Sequence, residues 1–202
     1  MTSSELRNLY EKLYFLEIDA RDKLHGRLQL SLTLLLIIGG AVLYFFQNAD
    51  YERGALTAIR LAFLFFFCGG IVMLVIAAGF FIKAFFNHAY QFLPDSSETA
   101  RYKLRLEETY REYEAHEALV AEALDKYLVD YYVEYGAFNT RVNDRRAAYL
   151  HSCNGWLISA AVLMMLAYLA FYFGDLDKGR IKTPSEVHIT KPVDVRIHEK
   201  GK

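Results

Sequence analysis

The sequence predicts an all-α membrane protein. Three transmembrane helices carry long helical extensions that form a cytoplasmic helical bundle, and a short strand-like C-terminal tail follows. Three observations predict this. Residues 28–46, 61–82 and 155–173 contain no Asp, Glu, Lys, Arg or His; at ~1.5 Å per residue each spans roughly the ~30 Å hydrocarbon core of a bilayer. Apolar residues outside these runs recur at alternating steps of three and four, the spacing of one helix face. No loop-forming cluster separates the charged N-terminal segment from the first apolar run.

Residues 1–27 hold five basic and five acidic side chains ahead of any apolar run, unlike a secretory signal, in which a short basic region meets a short apolar core at once. The segment is therefore expected to be retained as an amphipathic helix. Leu6, Leu9, Leu13, Leu16, Ala20 and Leu24 form its apolar face. Gly26 costs only about 1 kcal/mol against Ala in a helix interior, so one rod from about Ser4 to Phe46 is expected, with residues 28–46 as the first span.

Residues 47–60 make a short outer loop and 61–82 the second span. Gly54, Ala58 and Ala62 recur every four residues and Gly69 continues the face, a small-residue track that lets helices approach closely. It serves an intrachain pair or an oligomer equally. Arg21, Lys23, Arg27, Lys83, Arg141, Arg145 and Arg146 fall on one side if the spans alternate, against Arg53, Arg60, Lys178, Arg180 and Lys182 on the other. Seven against five favours a cytoplasmic N-terminus in a bacterial inner membrane and an external tail. Arg21, Lys23, Arg27, Arg141, Arg145 and Arg146 are read as anchors at the membrane boundary.

The cytoplasmic region, 83–154, reads by its punctuation. Pro94 stops one helix, and Asp95 with Glu98 three residues on makes a capping box for the next. That helix is expected to end near Gly136, with Asn139 or Thr140 capping a stem for the third span at 155–173. Its apolar series is Leu106, Tyr110, Tyr113, Val120, Leu124, Tyr127 and Tyr131. This face is expected to pack on the N-terminal helix, or equally to form a coiled coil between subunits. In the tail, residues 174–202, Val187 and Ile189, then Val193, Val195 and Ile197, alternate as in a strand that must pair with another chain or surface.

Catalytic chemistry is sparse. Glu108, Glu112 and His116 recur every four residues and suggest a divalent-metal face, but no second cluster completes a coordination sphere, and a solvated acidic face is expected instead. Arg146 and His151 spell R-x4-H, a spacing that resembles the HEPN ribonuclease motif; beside a span, an Arg at headgroup level explains it as well. No phosphate-cradling loop, GxSxG, HExxH or CxxC occurs. Residues 83–153 carry nine basic and twelve acidic side chains, which disfavours nucleic acid as a direct ligand. No cofactor is expected. Cys68 and Cys153 lie in or beside spans and read as reduced packing residues. No Asp, Glu or Lys lies within a span to partner transported charge.

The stretch LYEKLYFLEIDARDKLHGRLQL entering the first span, the QNADYERG turn and RYKLRLEETYREYEAHEAL together resemble the SLATT proteins. These are small bacterial membrane effectors found with antiphage systems, and accessory membrane proteins of some CRISPR and RNA-targeting systems are similar. The likeness covers Leu6 to Gly136. The third span and the lack of a fused sensor domain depart from it. It implies a non-catalytic protein that oligomerises and compromises the membrane, triggered through a soluble defence protein. A membrane anchor recruiting a soluble complex through Tyr110, Tyr113, Tyr127 and Tyr131 is the alternative.

Overall fold

The computed structural model describes residues 3–50 and 57–179. These form four helices, α1 (Ser3–Asn48), α2 (Ala58–Phe85), α3 (Ser96–Tyr110) and α4 (His116–Phe173). No strand occurs among the described residues, and Gly54 and the tail residues Val187, Ile189, Val193, Val195 and Ile197 lie outside them. Helices α1, α2 and α4 are each long and apolar enough to cross a membrane.

Helix α1 is the single rod its sequence predicts, 46 residues and roughly 70 Å long. Gly26 sits in it with nothing near its α-carbon for a side chain to strike. Helix α4 differs from expectation. It runs unbroken for 58 residues through Gly136 and Asn139. The break falls earlier, at Arg111–Ala115, where Tyr113 N donates to the Tyr110 carbonyl and His116 N to that of Tyr113. Glu107 and Glu108 occupy the last turn of α3, against the negative end of its dipole, and Glu112, Glu114 and Glu117 follow. Repulsion there, with no glycine or proline, ends the helix. Gly136 instead faces Tyr14: a β-carbon on it would lie 3.8 Å from the Tyr14 Cα. It lies against α1 inside a continuous helix and does not turn the chain.

Helices α1 and α4 run parallel. Arg7 meets Asp125, Glu17 meets Asn143, Ser31 meets Asn154 and Phe45 meets Phe171 in sequence. Helix α2 runs back between them, with Ala84 at Arg146, Gly70 at Met164 and Phe63 at Phe171. All three helices bury a seam of strict three-four alternation. On α4 it is Tyr132, Gly136, Asn139, Asn143, Arg146, Leu150, Cys153, Leu157, Ala160, Met164, Ala167 and Phe171. On α2 it is Arg60, Phe63, Phe67, Gly70, Ala77 and Ala84, with half-buried Leu74 and Phe81 filling the register. On α1 it includes Tyr14, Leu24, Leu28, Ser31, Ile38 and Phe45, and Ala49 just beyond the helix end continues it. Such a seven-residue repeat keeps a seam facing its partners when helices wrap left-handedly at a shallow angle, ~20°.

Large residues meet small ones along the seam. Met164 lies over Gly70, where a β-carbon would approach its Cε to 2.9 Å. Near the far end Phe45 touches Phe63, Phe67 and Phe171 edge-on, with centroids 5.4 to 5.7 Å apart, so one aromatic cluster joins all three helices. Each such contact adds about 0.5 to 1.5 kcal/mol beyond area burial. The same end is tied by Asp50 N donating to the Leu176 carbonyl and Lys178 N to that of Asn48.

Helix α3 is capped by Asp95, whose carboxylate accepts from Glu98 N at 2.7 Å. The Ser97 hydroxyl, then the Glu98 N–H, hold that carboxyl below the usual carboxylate range. The helix folds back on α4 and does not touch α1. The series from Leu106 to Tyr131 is thereby divided between two helices of a hairpin. Leu106 and Val120 are buried inside it, Tyr110, Leu124, Tyr127 and Tyr131 are half-buried, and Tyr113 is exposed in the turn. The expected leucine face of α1 also points only partly inward. Tyr14 and Glu17 meet Tyr132 and Asn143 of α4, while Leu6, Leu9, Leu13 and Leu16 stay exposed; of the expected face, Leu24 is buried and Ala20 half-buried.

Candidate functional site

Between α2 and α3 the chain becomes an extended strap over residues 86–95, lying across the stems of α1 and α4. Helix α2 stops at Phe86, and Asn87 takes a positive φ of 64°, a conformation that Asn tolerates better than most residues. His88 Nε2 lies 2.8 Å from the Lys83 carbonyl and so caps the end of α2.

Three residues of the α4 seam fasten the strap. Asn139, fully buried, holds the Gln91 backbone at both ends: Gln91 N donates to its Oδ1 at 3.0 Å, and its Nδ2 donates to the Gln91 carbonyl at 2.9 Å. One turn on, Asn143 accepts from the Tyr90 hydroxyl at 2.7 Å and donates through Nδ2 to the Glu17 carbonyl at 2.8 Å and to Glu17 Oε2 at 2.9 Å. Arg146 follows, only 6% exposed. Its Nε donates to the Ala84 carbonyl at 3.1 Å and its Nη1 to the Tyr90 hydroxyl at 2.7 Å. From the α1 side, the Tyr14 hydroxyl accepts from Leu93 N at 3.2 Å. Arg21 lies 5.8 Å over the Tyr90 ring and 5.4 Å over that of Phe92.

The result is a polar clasp in which Arg146, Tyr90, Asn143 and Glu17 link the C-terminus of α2, the strap, α4 and α1 in one hydrogen-bonded chain. Ala84 presents a carbonyl from the last turn of α2, where such groups lack helical partners and the dipole is negative. A guanidinium satisfies both. A buried chain of this kind holds its members to one arrangement, because breaking any link leaves a polar group without water. A second contact below it, from the Ser31 hydroxyl to Asn154 Oδ1 at 2.7 Å, repeats the α1–α4 pairing.

The residues singled out from sequence are distributed unevenly. Among the boundary cations Lys23, Arg27, Arg141 and Arg145 are exposed and Arg21 is half-buried, but Arg146 is an interior clasp residue rather than a headgroup anchor. Ala58 is exposed, while Ala62 and Gly69 are half-buried; the intrachain seam uses the adjacent face through Phe63 and Gly70. Cys153 is buried in the α4 seam and Cys68 is exposed. Glu108, Glu112 and His116 do not share a helix face, since α3 ends between the first two, and no group of three His, Cys, Asp or Glu placed to hold a metal occurs among the described residues. Arg146 and His151 lie about 140° apart around α4, the first buried and the second exposed.

Sequence reasoning missed Glu17, Tyr90, Gln91 and Asn143, and took Asn139 for a cap. The available signal was the spacing of Asn139, Asn143 and Arg146, which continues in register into Leu150, Cys153 and Leu157. A cleft of about 810 Å³ lies at the α3–α4 turn, lined by Leu104, Val120 and Leu124 with Lys103, Glu107, Arg111, His116 and Glu117. Compared with protein-family models, curated proteins and solved structures, the chain matches none.

Proposed function

We propose that the protein is a non-catalytic, oligomeric inner-membrane protein of bacteria, an effector or accessory of an antiphage defence system that perturbs the membrane when its cytoplasmic helices move. The observation that carries this reading is the continuity of α1 and α4. Each passes without a break from a charged stem into an apolar stretch of span length, and the clasp joins both stems to the end of α2. A displacement at the stems therefore reaches all three spans. The excess of basic residues near one set of span ends favours cytoplasmic stems, where a soluble defence protein would supply the trigger, and the resemblance to SLATT proteins supplies the defence context. No cofactor or nucleic acid enters the reading.

The test is a depolarisation dye in cells expressing the protein, with and without phage infection. Loss of membrane potential on activation supports the reading, and unchanged potential in both conditions contradicts it.

A second reading, a membrane anchor for a soluble complex, draws on the α3–α4 hairpin: its charge-lined cleft and exposed Tyr113 suit docking. Tyr113→Ser with Arg111→Glu separates the two. Depolarisation by the variant when expressed alone favours the effector, and its loss of a partner without any depolarisation by the wild type favours the anchor.

A further inference from the structure

We propose that Leu6, Leu9, Leu13 and Leu16 pair with the same four residues of a second copy, the two α1 helices running parallel. The inference deepens the oligomeric reading above and rests on it. These leucines are 38 to 49% exposed. They lie on a face about 100° around the helix from the one packed on α4, and α3 does not reach α1. Their steps of three, four and three are those of one coiled-coil seam.

Two features decide what covers the face. Because α1 is unbroken into the first span, the stripe stands away from the bilayer and cannot lie on lipid. Leu6 is 22 residues from the start of the apolar run at Leu28, roughly 33 Å along the helix. Charge then selects the occupant and its direction. Lys12 and Glu17 flank the stripe on opposite sides. In a parallel pair each Lys12 meets Glu17 of the partner subunit, whose carboxylate has acceptor capacity beyond the bond from Asn143. In the antiparallel register that matches the leucines, Lys12 would face its own copy and Glu5 would face Asp19 of the partner subunit. Two copies inserted the same way in one membrane present α1 in the parallel direction only.

The pairing is short. Lys23 and Arg27 take the next seam positions after Ala20, so like charges part the helices at the membrane boundary. About two heptads do not associate as free peptides; confinement of both copies to one bilayer supplies the effective concentration.

The experiment uses full-length protein in native membranes with Cys68→Ser to remove the exposed thiol, and oxidative cross-linking of single added cysteines. Leu9→Cys and Leu13→Cys should each give disulfide-linked dimers, and Phe15→Cys, exposed on another face, should not. Adding Lys12→Glu to Leu13→Cys should lower the dimer yield several-fold. Equal yields at Leu13→Cys and Phe15→Cys, no dimer at either leucine site, or preferential Leu6→Cys to Leu16→Cys linkage would each overturn the proposal. A Leu13→Cys dimer with unchanged membrane potential upholds the pairing and overturns the effector reading. Depolarisation without that dimer overturns the pairing alone.

Discussion

Asn139 binds both the N–H and the carbonyl of Gln91, at 3.0 and 2.9 Å, from a fully buried position on α4. One side chain thus does for the strap what a neighbouring strand does in a sheet. The strap in turn fixes where α2 ends and α3 begins.

Asn139→Ala removes both bonds and leaves the half-buried Gln91 N–H without its partner. A loss of about 2 to 4 kcal/mol is expected, read as a lower unfolding midpoint in detergent and faster proteolysis within residues 86–95. Unchanged midpoint and cleavage would mean that the strap is not held by Asn139.

Arg146 and His151 should respond in opposite ways. Arg146→Ala strands the Ala84 carbonyl and removes one of the two bonds of the Tyr90 hydroxyl, which keeps Asn143, at a cost of roughly 1 to 3 kcal/mol. Lys recovers only part of this, since an ammonium lacks the guanidinium fork that reaches both acceptors. Exposed His151→Ala should shift stability by no more than about 0.5 kcal/mol and leave membrane activity intact. Parallel loss of activity in the two variants at full stability would favour the R-x4-H pair as a functional unit.

Gly136→Ala distinguishes a continuous α4 from one broken at that residue. With α-helical backbone and a β-carbon 3.8 Å from the Tyr14 Cα, an ordinary contact, Ala should stabilise by about 0.5 to 1 kcal/mol. A left-handed cap at Gly136 would make the same change destabilising.

The α3–α4 hairpin carries a tyrosine ladder: Tyr102 stacks on Tyr127 at 4.1 Å, and Tyr127 meets Tyr131 edge-on at 4.7 Å. Burial, then the hydrogen bond with Tyr131, pushes the Tyr127 hydroxyl up from 10.0 to about 12. Burial also raises Tyr135. A phenol whose folded pKa is raised contributes stability fully present below its unfolded value and lost as pH climbs through the folded one. The hairpin should therefore hold to about pH 10 and loosen towards about pH 12. Tyrosinate absorbance checks this, with a delayed component expected in wild type that loses its Tyr127 contribution in Tyr127→Phe, while Tyr132 and Tyr135 still titrate late.

The rod of α1 and the three long apolar helices were legible in the sequence because α1 has no proline and only isolated or paired glycines at Gly26, Gly39 and Gly40, and long apolar runs are hard to bury otherwise. The break at Arg111–Ala115 was not, because charge repulsion ends the helix there without a turn residue. The α4 seam was hidden for another reason. Between Tyr132 and Leu150 it is written in Gly136, Asn139, Asn143 and Arg146, residues that a search for apolar periodicity passes over. The expected apolar face of α1 is only partly the inward one: Leu24 is buried, but nearer the N-terminus the inward face carries Tyr14, Glu17 and Arg21 while Leu6, Leu9, Leu13 and Leu16 stay exposed.

The central claim is that unbroken helices carry movement from the stems into the spans. Its most direct test is a flexible Gly-Ser insert after Gly26, in the middle of α1, scored by depolarisation in cells that express and insert the protein at wild-type levels. The account predicts that depolarisation is lost while the clasp contacts of Glu17 above the insert and the Phe45 cluster below it persist. Wild-type depolarisation with the insert in place would contradict it.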